Sequence, residues 1–257
     1  MPPSGPVSIS EAKKLPGLRL IVLQGLPSPW SQAAKGILHV KQVPYTLVHR
    51  TADDPGDALE DWTGQASFPA AMFGDEPART GWAEILLLAE RLAPKPALIP
   101  ADPERRALLF GLAHEIAGEM GLGWSARLQM IAGGMALDPP NPVSAYLGDK
   151  YGYLPETAAQ APGRVHDVLR MLATLLERSR KDGGPYLLGA ELTALDIYWA
   201  TFSNLIEPLG PDQMEMPAPM REMFTSSDPV AGEFMANGLR DHRDFIYREH
   251  LELPVIL

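Results

Sequence analysis

The chain has 257 residues, 46% of them hydrophobic and 21% charged, with a net charge of −10 at pH 7. That is enough apolar sequence for a packed core, while the scattered Lys and Arg residues form no basic stripe of the kind a nucleic-acid backbone requires, so DNA and RNA are set aside as partners. There is no cysteine, which excludes disulfides, thiolate metal sites and a cysteine nucleophile in one step.

No stretch approaches the ~18 uninterrupted apolar residues of a membrane span, and the N-terminus lacks the apolar core of a signal peptide, so a cytoplasmic protein without a membrane partner is expected. Residues 1–17, rich in Pro, Ser and Gly, predict a leader lying on the surface. LRLIVLQG, from Leu18 to Gly25, predicts a mostly buried strand with a glycine stop. SQAAKGILHVKQ, from Ser31, carries Ala34, Ile37, Leu38 and Lys41 at helical spacing and must end before Val43-Pro44. Pro44 to Arg50 predicts a second strand, and the intervening helix makes it parallel to the first. After a loop-like acidic stretch, SFPAAMFGDEPART predicts two short strands around a Gly-Asp-Glu-Pro turn, followed by an amphipathic helix in GWAEILLLAERLA. Pro69 stands inside this strand pattern, where proline belongs only at an edge, a bulge or a special bond.

PKPALIPADP, residues 94–103, has four prolines in ten positions and predicts the linker between two domains, 18–93 and 104–257. Beyond it the strand patterns vanish, and RRALLFGLAHEIAGEMG, GRVHDVLRMLATLLERSR and TALDIYWATFSNLI predict an all-helical domain. In GAELTALDIYWA, Thr193 precedes Asp196 by three residues, a carboxylate variant of the capping box, with Leu192 and Ile197 placed as a hydrophobic staple. The six histidines form no metal-ligand spacing, so no metal is expected.

A small βαβββα-like domain, a proline-rich linker and a helical domain with one capped internal helix resembles the glutathione transferase superfamily over Leu18 to Ile206. SPWSQAAKGILHVKQVPYT is similar to that family's first strand exit, helix and second strand; SFP resembles the segment carrying its cis-proline; PYLLGAELTALDIYWA resembles the stretch around its capped sixth helix. The resemblance implies a thioredoxin-like domain with a mixed four-stranded sheet, an all-α second domain, a homodimer, and glutathione as co-substrate. It points to Ser28 as the hydroxyl that stabilises the glutathione thiolate, with Ser31 as the fallback, and to a cis bond between Phe68 and Pro69 that turns the Phe68 backbone toward the tripeptide. A helix N-terminus offers unpaired N–H groups and a positive dipole end, and a hydrogen bond to the charged form of a thiol lowers its pKa. Ser28 reads equally as a plain helix N-cap with Pro29 at the first helical position.

The family's acidic residue and serine, which bind the γ-glutamyl group, fall here on Gly81 and Trp82. Arg79, Thr80 and Glu84 are the nearby polar groups, with the Thr80 hydroxyl the first choice for the missing contact or else a helix cap. Trp82 either packs into the core or partly fills that pocket. By the same analogy Trp30, Met120, Trp124, Arg127 and Met130 line the site of a hydrophobic electrophile, although each Met and Trp also fits core packing. Two functions follow: an enzyme conjugating glutathione to an apolar electrophile, or a non-catalytic protein of the same fold that binds ligands or partners.

Overall fold

The computed structural model describes residues 5–51 and 54–257. β1 (Leu18–Val22) is buried along its whole length, because both faces of the sheet are covered. It runs parallel to β2 (Tyr45–His49), with Leu18 opposite Tyr45 and Val22 opposite His49. On its other side it is antiparallel to β3 (Ala70–Phe73), with Ile21 opposite Ala70. The sheet order is therefore β2-β1-β3, three strands where four were expected. The second arm of the predicted hairpin contributes a single bridge, in which the N–H and carbonyl of Ala71 bond those of Arg79 at 2.8 and 2.9 Å. Pro77 has no N–H to give and Gly81 already begins a helix, so only one residue remains free to pair.

The expected surface leader is instead built into the domain. Ser8 and Glu11 form a capping box around α1 (Ile9–Ala12), and both Ile9 and Ala12 are fully buried against Ile21, Val48 and Met72. Val7 bridges the outer edge of β2. The helix is fastened by Asp54, whose carboxylate accepts from the N–H groups of Ile9, Ser10 and Thr51 at 3.2, 3.0 and 2.9 Å and from the hydroxyls of Ser10 and Thr51. Burial pushes this carboxyl up, and the hydrogen bonds outweigh it, holding the pKa at about 2. The acidic stretch that follows, read as a loop, holds a short helix α3 (Ala58–Thr63), closed by Gly64 in the left-handed conformation.

α2 (Pro29–Val40) starts on Pro29, whose fixed φ suits the first helical position, and buries Ala33, Ala34, Ile37 and Leu38. α4 (Trp82–Leu92) lies beside it. The proline-rich connector after α4 is not a loose tether. Leu98 and Ile99 are buried, Lys41, whose side chain is wholly buried, donates to Glu90 at 2.6 Å and to the Pro96 carbonyl at 2.7 Å, and Glu90 also accepts from the Leu98 N–H.

The remainder is helical, as the sequence implied: α5 (Pro103–Ala117), α6 (Leu122–Met135), α7 (Pro142–Tyr151), α8 (Pro155–Lys181), α9 (Ala194–Phe202), α10 (Ala218–Phe224), α11 (Pro229–Phe234) and α12 (Arg240–His250). Every residue of α9 is buried. Asp196 closes its start by accepting from the Thr193 N–H and hydroxyl at 3.0 and 2.9 Å and from the Leu187 N–H at 2.7 Å. One hydrophobic core runs from Leu20 and Ile37 through Leu109 and Ile116 to Ile197 and Trp199, so the two domains share it. After α12 the chain straps back, and the Leu257 carbonyl accepts from the Gly25 N–H at 3.3 Å.

Candidate functional site

The register of the sheet brings three connections to one end. β1 leads at its C-terminal end into 23–28; Ile21 opposite Ala70 places Phe68–Pro69 beside that exit; Ala71 opposite Arg79 places Thr80 and Gly81 at the same end. α2 and α4 both begin here. Neither has a side-chain cap, so both present unpaired N–H groups.

Ser28 is the N-cap of α2 by backbone conformation, yet its hydroxyl makes no capping bond. It is buried, 8% exposed, and its oxygen makes no cap hydrogen bond to the start of α2. Ser31 is fully buried, and its hydroxyl has no hydrogen-bond partner among the described residues. The Phe68–Pro69 bond is cis.

At the start of α4, the N-cap is Gly81, and Thr80 is exposed and outside the helix, so Thr80 does not cap it. The Glu84 side chain curls back over Gly81: a Cβ built there would lie 1.8 Å from Oε2. Glycine is what admits this carboxylate to the helix start, where the dipole favours it. Trp82 packs edge-on against Tyr198, ring centroids 5.4 Å apart, and 6.3 Å from Phe110, while its carbonyl accepts from the Tyr198 hydroxyl at 3.0 Å. It is an interdomain packing residue. Burial, with the Glu84 charge second, raises the Tyr198 hydroxyl far above its ordinary range, which keeps it a neutral donor.

Trp30 is fixed between the domains. Its Nε1–H donates to the Ala117 carbonyl at 2.9 Å and its ring meets Phe202 edge-on at 4.8 Å. Met120 joins α5 to α6 with a φ of 59° and is 39% exposed. Trp124 does not join Trp30; it packs on Tyr151 at 5.1 Å, within a separate cluster of α6, α7 and α8. Arg127 is buried, and Met130 is the neighbour of its guanidinium, Sδ lying 4.0 Å from Nη1. The expected electrophile wall is therefore split: Trp30 stands at the domain boundary, Trp124 and Arg127 within the helical domain.

A buried network escaped the sequence. Gln32 on α2 donates to the Pro27 carbonyl at 2.9 Å and accepts from the Tyr247 hydroxyl at 2.7 Å and Asn204 Nδ2 at 3.2 Å, while Asn204 also donates to the Tyr247 oxygen at 2.8 Å. It anchors the loop before Ser28 to the turn that follows α9, Ser203–Leu205, and to α12. A glutamine at the start of a helix face otherwise made of Ala33, Ala34 and Ile37 was the one available signal.

No protein-family model matches the sequence, and no curated protein matches it. Solved structures do resemble the fold. Glutathione transferase Omega 3C from Trametes versicolor aligns with 94% of this chain and 90% of its own, at a TM-score of 0.57 and 17% identity. A glutathione S-transferase from Methylobacillus flagellatus KT, solved with glutathione bound, aligns with 90% of this chain and 95% of its own at 0.64 and 13%. A glutathione transferase family member from Pseudomonas fluorescens Pf-5, with two glutathione molecules bound, aligns with 94% and 95% at 0.63 and 13%.

The chain has the glutathione transferase fold.

Within this glutathione transferase fold, the segments brought together at the sheet end are Gly25–Ser28, Phe68–Pro69 and Thr80–Gly81, flanked by two uncapped helix starts and one carboxylate. Such an arrangement suits a ligand that carries both negative groups, for the helix N–H groups, and a cation, for Glu84. Among the described residues no cluster of three His, Cys, Asp or Glu is placed to hold a metal ion, and no helix is long and apolar enough to cross a membrane.

Proposed function

We propose that the end of the sheet at the β1–α2 junction binds glutathione and that the protein activates its thiol for attack on an apolar electrophile. One observation carries this reading: Ser28 holds an N-cap backbone at an uncapped helix start while its hydroxyl remains unused. A sulfur seated there would accept a hydrogen bond from Ser28 and sit on the positive end of α2, both of which favour thiolate over thiol. The thiol proton leaves to solvent and the sulfur lone pair forms a carbon–sulfur bond; in a substitution the carbon's bond to its leaving group breaks and that group departs with the electron pair, and in an addition the displaced π pair takes a proton from solvent. Glu84 over Gly81 would meet the ammonium of the γ-glutamyl group, and the Phe68 backbone would pair with the tripeptide. Two of the fold neighbours were solved with glutathione bound, which supports the choice of ligand. A cytoplasmic homodimer goes with the same reading, and sedimentation checks the dimer.

Ser28→Ala tests the mechanism. Removing a hydrogen bond to a charged group is worth about 1.5–3 kcal/mol, so the thiol pKa of bound glutathione should rise by about one to two units. Ultraviolet titration of the bound thiolate reads this directly; an unchanged pKa removes Ser28 from the mechanism.

A second reading rests on a different observation. Trp82, at the place of the family's γ-glutamyl serine, is committed to Tyr198 and Phe110, which favours a non-catalytic ligand-binding or interaction protein of this fold. Calorimetric titration separates the two, since absence of heat at millimolar glutathione selects the second.

A further inference from the structure

Where residues 6–11 pack along the outer edge of β2, the chain encloses a cavity of about 560 Å³, lined by Ser8, Ser10, Glu11, His49, Thr51 and Asp54 among others. That volume falls within the ~300–1,000 Å³ typical of small-molecule sites. The sheet order β2-β1-β3 puts it on the β2 side of β1, whereas Phe68–Pro69 and Thr80 gather on the β3 side.

Hydrogen bonding in this cavity is one-sided. The Ser8 hydroxyl donates to Glu11 at 2.9 Å, and those of Ser10 and Thr51 donate to Asp54 at 2.9 and 3.1 Å. Each hydroxyl has given its single proton to a carboxylate, so its oxygen can only accept further bonds. Both carboxyls are ionised at neutral pH: burial pushes Asp54 up, but its hydrogen bonds hold it at about 2, and the Ser8 N–H and hydroxyl lower Glu11. Among the described residues no Lys or Arg lines the cavity; Lys14 acts on Glu11 more weakly than the Ser8 hydrogen bonds do.

His49 supplies a second, independent mark of a ligand. It is 6% exposed, lines the same cavity, and its Nε2 has no hydrogen-bond partner among the described residues. Native folds seldom leave a buried polar group unmet. Burial, with the Lys35 charge second, lowers the His49 pKa, so at neutral pH the imidazole is uncharged and has one bare nitrogen that can accept. Two carboxylates, three hydroxyl oxygens and this ring make a cavity rich in acceptors and poor in donors, whose complement is a positively charged molecule with several N–H groups. Among the described residues the acids and histidines are not grouped to hold a metal ion, which leaves an organic cation.

We propose that this cavity binds a small organic ammonium ion, with its N–H groups on the Glu11 carboxylate, the hydroxyl oxygens and His49, and its carbon chain against Pro6 and Val7. Such a site requires no glutathione at the other side of β1.

Calorimetric titration of the full chain with two probes of equal length tests it: 1,5-diaminopentane, a dication at neutral pH, and the uncharged 1,5-pentanediol. The diamine should bind saturably and at least about tenfold more tightly than the diol, the difference between a charge-assisted hydrogen bond and a neutral one. Glu11→Gln keeps the capping box, since glutamine serves at that position, and should weaken the diamine by about tenfold. His49→Phe preserves the ring and every carboxylate and should still weaken the diamine by about three- to tenfold, the loss of one neutral acceptor. Binding that does not saturate, equal affinity for diamine and diol, or unchanged affinity in Glu11→Gln would each overturn the assignment. Unchanged affinity in His49→Phe would overturn it too, because it would show that the diamine answers only to the negative surface of the chain.

Discussion

Gly123 is where α6 lets the domains touch. A Cβ added there would stand 2.4 Å from Phe202 Cε1 and 3.1 Å from Trp30 Cη2, and Phe202 is fully buried with nowhere to retreat. Gly123→Ala should therefore destabilise the protein by about 1–3 kcal/mol in denaturant unfolding, the usual cost of overpacking, even though alanine is the better helix former. Trp30, two residues from Ser28 and bonded to Ala117, must shift with it. On the glutathione reading, affinity falls together with stability, which calorimetry on the variant can follow.

At the level of elements, α1 hangs on one carboxylate. The pKa of Asp54, about 2, lies below its ordinary 3.8, so its contribution is present above about pH 4 and is lost as pH falls toward 2. Asp54→Asn should lower the melting temperature at neutral pH and flatten the acid limb between about pH 4 and pH 2; an unchanged acid limb in thermal melts would show that Asp54 does not supply it. The sequence concealed this element because Pro, Ser and Gly dominate residues 1–17, while Ser8–Glu11 and the buried pair Ile9 and Ala12 occupy only one turn. The neighbouring β1–α2–β2 unit was legible, since periodicity, the Pro29 start and the Val43-Pro44 stop all pointed one way. The fourth strand failed for a reason also written in the chain, Pro77, whose effect depends on a register that only the fold supplies.

Across the whole molecule, the network of Gln32, Asn204 and Tyr247 joins residues 172 and 215 positions apart, a separation at which no local pattern exists to be read. The N-cap position of Ser28 and the cis Phe68–Pro69 bond were readable because each sits in a short motif, whereas the packing of Ser31, Trp82, Trp124 and Arg127 depends on which face of a helix meets which neighbour. Tyr247→Phe should cost about 1–3 kcal/mol, because it leaves the buried Gln32 oxygen and Asn204 amide each short of a partner. Pairing it with Gln32→Leu should cost less than the sum of the two single changes, and a double-mutant cycle by denaturant unfolding measures the difference.

The grip of Lys41 and Glu90 on the connector bears on how anything reaches the interior. Domains joined by a solvated tether can swing apart on a hinge and admit a ligand between them. Here a swing that peeled the connector away would wet Leu98 and Ile99 and take from a buried ammonium its acceptor on Pro96. The connector is thus part of the packed frame and not a solvated tether.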